Sequence, residues 1–297
     1  MSDITLLDGG MGQELVKRAG DSPTPLWSTQ VMLDHPGLVS QLHRDYFEAG
    51  ATVASANTYA VHRDRLAPVG LEHRFEDLQA AALSEAVTAR NAHGAGRVAG
   101  TIGPLGASYR PDLLPDHDTA VAAFAEIVRM MEGSADILLF ETIASLDHAR
   151  AALAAGRQSD LPIWLAVTVD DTDGSRLRSG EPVAEVVAIA RDGAAAVLAN
   201  CSAPEAMPAA LDALMRSDLP CGAYANAFTR ITEDFLKTRP TVAALDARRD
   251  MDPTTYARHV MGWVGQGATI VGGCCETGPA HIAAIARALR DAGHDLV

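Results

Sequence analysis

The sequence predicts an α/β protein, a single (β/α)8 barrel of the TIM type over residues 1–297. Three observations predict it. A short apolar strand ending in a polar or glycine-rich cluster, followed by a helical stretch, recurs down the chain. The pattern repeats often enough to close a parallel sheet on itself. No low-complexity linker or shift in composition divides the 297 residues, a length normal for one barrel.

The strands read as 4-ITLL-7, 52-TVASAN-57, 97-RVAGTI-102, 136-DILLF-140, 163-IWLAVT-168, 195-AAVLA-199, 221-CGAYA-225 and 268-ATIVG-272. Their ends carry Asp8-Gly9-Gly10, Asn57-Thr58, Gly103-Pro104, Glu141-Thr142, Thr168, Asn200-Cys201, Asn226 and Cys274-Cys275. Between them, apolar residues at three- and four-residue spacing predict helices over 37–50, 74–92, 119–133, 145–156, 182–193, 205–217, 255–267 and 280–293. Several of these end in glycine, as helix C-termini often do. Long loops over 103–118 and 226–253 leave strand ends that would carry an active site, and the second reads as a lid or an interface. A doubly wound open sheet is the competing architecture. Its first turn usually carries Gly-x-Gly-x-x-Gly, which 8-DGGMGQEL-15 does not match.

Composition narrows the function. Lys and Arg total 24 against 38 Asp and Glu, a formal charge of −14, and no basic run occurs, which argues against nucleic acid and anionic membranes as partners. The first residues, MSDITLLDGGMG, lack a basic and apolar leader, and no run of about 18 apolar residues could span a bilayer, so a cytoplasmic location is expected. Four cysteines in a chain this long do not make a disulfide framework and point to metal binding or catalysis.

The stretch 269-TIVGGCCETGP-279 concentrates that chemistry. Neighbouring side chains cannot both enter one apolar layer, so Cys274 and Cys275 at a turn are poor core filler. Cys201 closes the sixth strand as the pair closes the eighth, and barrel strands two apart place inward residues in one layer. The three sulfurs can therefore converge on Zn2+, with the fourth tetrahedral position open. Three thiolates make zinc a poor activator of water and a good holder of a substrate thiolate, which points to alkyl transfer onto sulfur. Cys221, at the start of its strand, reads as a small core residue.

The sequence resembles the homocysteine S-methyltransferase family. The resemblance covers nearly the whole chain and is carried by 7-LDGGMGQEL-15, 25-PLWS-28, 56-ANTY-59, 101-TIGPLG-106, 139-LFET-142, 179-SGE-181, 199-ANCS-202 and 271-VGGCCETGPAHI-282. Asn-Cys together with Gly-Gly-Cys-Cys is the specific part. The resemblance implies that Cys201, Cys274 and Cys275 ligate zinc and are the catalytic set. It implies that Asp8 and Glu141 bind the ammonium group of homocysteine, and that backbone amides around Gly9, Gly10 and Met11 receive its carboxylate. The chemistry agrees, because paired carboxylates suit an ammonium and a Gly-Gly turn exposes N–H donors. The other reading of Asp8 is a helix cap, and of Glu141 a partner for a buried arginine.

The implied reaction is direct displacement by the homocysteine thiolate on an onium methyl group, giving methionine. A chain of this length favours an onium donor, a sulfonium such as S-methylmethionine or S-adenosylmethionine or a quaternary ammonium such as betaine, and the Leu-Trp-Ser context of 25-PLWS-28, which resembles the S-methylmethionine branch, ranks the sulfonium first. Trp27 can sit over an onium methyl by cation–π contact or pack on the barrel rim, with Tyr59 and Tyr109 as further aromatic candidates. Asn57 is placed at the substrate site by its strand end, with tying of loops as its other reading; Asn226 reads likewise, and Asn200 as support for the metal turn. Two rival functions remain. One is a zinc–thiol redox protein in which Cys274 and Cys275 form a reversible disulfide. The other is a homocysteine-binding subunit fed by a separate corrinoid protein.

Overall fold

The computed structural model of the protein describes residues 2–20, 24, 26–229, 231, 236 and 247–297. Nine parallel strands form one sheet: β1 (Asp3–Leu6), β2 (Val53–Ser55), β3 (Arg97–Ile102), β4 (Ile137–Ile143), β5 (Ile163–Val167), β6 (Ala196–Asn200), β7 (Cys221–Ala225), β8 (Ile270–Gly273) and β9 (Asp295–Leu296). The first eight are those the sequence predicts. Their order, β2 through β8 and then β1, brings the first strand beside the eighth. A parallel bridge from Leu7 to Val53 and the bond from Thr52 N–H to the Leu6 carbonyl at 2.7 Å join β1 to β2, closing the barrel. The unpredicted β9 covers the remaining edge of β1 at Asp3 and Ile4.

The helices are α1 (Met11–Ala19), α2 (Ser28–Asp34), α3 (Leu38–Ala49), α4 (Arg63–Leu66), α5 (Phe75–His93), α6 (His117–Met131), α7 (Leu146–Gly156), α8 (Val186–Arg191), α9 (Met207–Leu214), α10 (Pro253–Gln266) and α11 (Pro279–Asp291). Eight fall where the periodicity predicts them. The stretches 182–193 and 205–217 are shorter helices than expected, because 3-10 turns take up their ends. The helix α1 begins where the helix-cap reading of Asp8 requires one, near Gly12, and α2 and α4 are additions.

Two apolar layers hold the fold. Leu7, Val53, Leu139, Trp164, Leu198 and Ile270 fill the barrel interior. A larger layer lies between the sheet and the helices, with Phe75, Phe124, Phe140 and Trp263 among its bulkiest buried members. At about 25 cal/mol per Å² of apolar area removed from water, such a double layer is the dominant stabilising term of a barrel.

Most of the predicted loop 226–253 lies outside the described residues. Its ends are tied to the site: Ala227 N–H donates to the Cys275 carbonyl at 2.8 Å, and Phe228 bridges Ala247.

Candidate metal centre and substrate cavity

The sulfurs of Cys201, Cys274 and Cys275 all lie within 4.8 Å of one another at the C-terminal mouth of the barrel. Three sulfurs around a tetrahedral zinc, with bonds of about 2.3 Å, stand about 3.8 Å apart. Cys201 and Cys275 are 3.9 Å apart, a separation that fits. Cys201 and Cys274 are drawn closer and paired as a disulfide, with Cα atoms 5.8 Å apart. The vicinal disulfide of the redox alternative is therefore not the one observed: Cys275 is free, and the bond runs between two strand ends. Adjacent cysteines on a turn diverge, whereas the barrel aims β6 and β8 at one point. Reduced, the three thiols form a donor set suited to zinc. Burial first, and then the nearby Glu276 and Glu141 charges, push the Cys275 thiol up to about 12, so a cation is needed to hold it as thiolate near neutrality.

Backbone devices aim the sulfurs. Cys201 adopts a left-handed conformation, φ 51°, and turns back from β6. Cys274 N–H donates to the Ala225 carbonyl at 2.9 Å, and Cys275 N–H to Asn226 Oδ1 at 3.2 Å, pinning the metal turn to the end of β7. Asn200, next to Cys201, braces the end of β6. Its Oδ1 accepts from Thr142 N–H at 2.9 Å and its Nδ2 donates to Thr142 Oγ1, joining the end of β6 to that of β4. Trp27, Tyr109, Thr142, Cys201 and Glu276 all have positive φ, so non-glycine backbone strain gathers around this mouth.

The cysteines open into a cavity of about 450 Å³ that Asp8, Gly9, Gly10, Met11, Trp27, Asn57 and Glu141 also line. Asp8 is no helix cap. Gly10 holds the cap position of α1, and Asp8 Oδ2 accepts from Ser55 N–H at 2.7 Å on β2. Among the described residues Glu141 pairs with no arginine; its Oε2 accepts from Tyr224 Oη at 3.1 Å. A register shift in β4 between Phe140 and Ile143 turns Glu141 into the cavity. Desolvation dominates both acids. It raises Asp8 to about 7 and Glu141 to about 8, outweighing the hydrogen bonds from Ser55 and Tyr224. Two buried carboxyls held ready to ionise beside each other form a receptor for a cation. Behind Asp8, the buried His43 places Nδ1 3.9 Å from Oδ2, and burial keeps its imidazole neutral.

The amide cradle is smaller than expected. Gly10 N–H donates to the Thr277 carbonyl at 2.8 Å and is not open to an anion. The first-turn amides of α1, from Met11 onward, have no carbonyl one turn back within the helix, and Met11, Gly12 and Gln13 line the cavity. Gly9 and Gly10 are needed for contact: a Cβ on either would strike a backbone carbonyl, Thr277 O or Cys274 O. On Gly12 it would overlap the Trp27 indole. Trp27 stands edge-on to Tyr59, ring centres 6.2 Å apart. Asn57 lines the cavity and also ties β2 to α2, its Nδ2 3.3 Å from the Ser28 carbonyl. Among the residues not singled out from sequence are Gln13, which lies beside Cys275, and Tyr224. Tyr224 sits among small residues in β7, and only its place in the barrel interior reveals it.

Fold and site together define a barrel protein with three converging cysteines that could hold a metal ion and two buried acids in one cavity. The sequence profile described as homocysteine S-methyltransferase matches residues 5–289. The homocysteine S-methyltransferase of Escherichia coli K12 is 31% identical over 95% of this chain and 94% of its own. Homocysteine S-methyltransferase 4 of Zea mays is 29% identical over 98% and 90%. The metallated form of the Escherichia coli homocysteine methyltransferase MmuM superposes with TM-score 0.80 at 29% identity, over 97% of this chain and 96% of that one. Its oxidized form gives 0.81 over the same shares. The chain belongs to the homocysteine S-methyltransferase family, and it is a methyltransferase of that class. Among the described residues, no helix is long and apolar enough to cross a membrane.

Proposed function

We propose that this protein transfers a methyl group from a small onium donor to the sulfur of homocysteine, giving methionine, with Cys201, Cys274 and Cys275 as zinc ligands. The observation that carries the reading is the convergence of three sulfurs within 4.8 Å in the cavity that also holds Asp8 and Glu141. When bound, zinc supplies a way to keep the acceptor sulfur ionised yet nucleophilic at neutral pH.

The chain's own residues do the rest. Asp8 and Glu141 receive the ammonium group, and its charge offsets the desolvation that otherwise keeps them protonated. Tyr224 orients Glu141 by its hydrogen bond, and Ser55 N–H orients Asp8. The first-turn amides of α1 receive the carboxylate. Trp27 and Tyr59 present ring faces and edges where a methyl cation equivalent approaches. The sulfur lone pair forms the new S–C bond as the methyl carbon leaves the donor, whose former sulfonium or ammonium atom keeps the bonding pair. Holding both partners in line supplies much of the acceleration. S-Methylmethionine and S-adenosylmethionine rank ahead of betaine as donors.

Purified, reduced, zinc-loaded protein with homocysteine and S-methylmethionine, S-adenosylmethionine, betaine or dimethylsulfoniopropionate tests this. Methionine formed with at least one donor is the expected result. Bound zinc without methionine from any of them would sink the onium reading and leave the corrinoid-fed alternative.

A further inference from the structure

We propose that Gln13 is a positioning residue that shields the cysteine beside it: its amide N–H donates to the charged Cys275 sulfur, so that an incoming methyl group goes to the acceptor thiolate and not to the protein's own. This goes beyond the methyl-transfer reading and rests on its assignment of Cys275 as a metal ligand.

A centre of three thiolates that takes up a fourth sulfur poses a problem of selection. All four sulfurs are nucleophiles. The three cysteine sulfurs lie within 4.8 Å of one another, so a small onium donor brought to the acceptor is brought close to them too. Methylation of a cysteine would form an S–C bond there, leave the bonding pair on the donor's former onium atom, and turn a thiolate ligand into a neutral thioether. The surroundings of Cys275 sharpen the problem. The Glu276 and Glu141 carboxylates both bear on its sulfur, and negative charge nearby makes a thiolate more reactive towards a cation. Lys17 faces Glu276, while Glu14 adds a further negative charge.

Gln13 stands where that sulfur can be held. It lies in the first turn of α1 and lines the cavity. The start of the helix packs on the metal turn: a Cβ on Gly10 would come within 3.2 Å of the Cys275 Cα. Gln13 is 9% exposed, and both polar atoms of its amide are buried without a well-formed hydrogen bond. Yet the amide interacts with the Cys275 sulfur. The two facts agree because Cys275 is a free thiol here. A thiol is a weak acceptor, whereas a charged acceptor forms a strong bond. Burying an amide with no partner costs free energy. Charge on Cys275 supplies the partner from within the protein, with no need for a ligand to reach Gln13. The donor is neutral, so the net charge of the centre stays as it is; a lysine or arginine there would lower the nucleophilicity of every sulfur. A hydrogen bond acts on the one sulfur that accepts it.

The test reads alkylation at each cysteine. The reduced full-length chain, saturated with zinc and free of homocysteine, is treated with iodoacetamide, which forms a thioether and releases iodide. Labelling of Cys201, Cys274 and Cys275 is followed by peptide mass spectrometry. Gln13→Met, which keeps the bulk and removes the N–H, is expected to raise the rate at Cys275 about tenfold and to leave the other two close to wild type. Gln13→Asn, whose amide falls one bond short, should do the same, so that one variant failing to fold still leaves the other. In cobalt(II)-loaded protein, the sulfur-to-metal charge-transfer band should move to lower energy in both variants. An equal rise at all three cysteines would show that Gln13 only packs the turn, and would overturn the proposal. So would unchanged rates, or folded variants that hold no zinc at saturating metal. Methionine formation is measured on the same samples with homocysteine and S-methylmethionine added. Gln13-dependent protection of Cys275 in a protein that forms no methionine would uphold the shield while counting against the methyl-transfer reading.

Discussion

On the proposed reading, acceptor binding turns on Asp8 and Glu141. Their ordinary values of 3.8 and 4.5 rise to about 7 and about 8 because burial penalises the charged forms. Ammonium recognition needs the ionised forms, so the KM for homocysteine is expected to fall as pH rises from 6 through about 8. A flat profile over that range would remove these acids from the site. Asp8→Asn and Glu141→Gln should each raise that KM by tenfold or more. The same shifts carry a stability cost of known sign. The folded substrate-free protein holds protons that the unfolded chain releases above about 4, so the stability from these groups falls as pH rises from about 4 and is fully lost by about 7–8. Both variants escape that loss, and at pH 8 each should be about 1–2 kcal/mol more stable than wild type by denaturant unfolding without substrate. Both acids were legible in the sequence because they follow apolar strands directly. Tyr224 was not: inside a short strand it reads as core, and only the closed barrel sets its hydroxyl on Glu141. Nor could the sequence reveal that the Gly10 amide is taken by Thr277, a contact between residues at opposite ends of the chain.

Among elements, the turn after β8 and the turn after β1 act as one unit. Gly10 N–H bonds Thr277, Gly273 N–H bonds the Asp8 carbonyl at 3.0 Å, and glycine at 9 and 10 lets the two backbones touch. Gly10→Ala should therefore push the metal turn aside, because its Cβ would meet backbone at Cys274 rather than a movable side-chain tip. We expect a loss of about 1–3 kcal/mol in stability and weaker zinc retention. Full stability together with normal zinc content would show that the close approach is dispensable. Strand and helix positions were largely predictable from periodicity, since each buries one apolar face. The short helices α2 and α4 were missed because their lengths, seven and four residues, are too short to show a period. The bulge in β4 was hidden for another reason: its signature is a register shift against β5, which no local pattern encodes.

The barrel as a whole brings together strand ends separated by most of the chain, from Asp8 through Glu141 and Cys201 to Cys275. Metal binding should accordingly stabilise the entire fold by mass action. Under reducing conditions, added zinc should raise the unfolding temperature of metal-free protein, and oxidation that joins Cys201 to Cys274 should abolish the rise by removing two of the three donors. An equal rise in oxidised protein would place zinc elsewhere. The most direct test of the three-cysteine centre is X-ray absorption at the zinc edge of the reduced protein, with and without homocysteine. We expect about one zinc per chain, with three sulfurs at about 2.3 Å that become four when homocysteine is added. Zinc lacking sulfur ligands, or a sulfur count that homocysteine leaves unchanged, would contradict it.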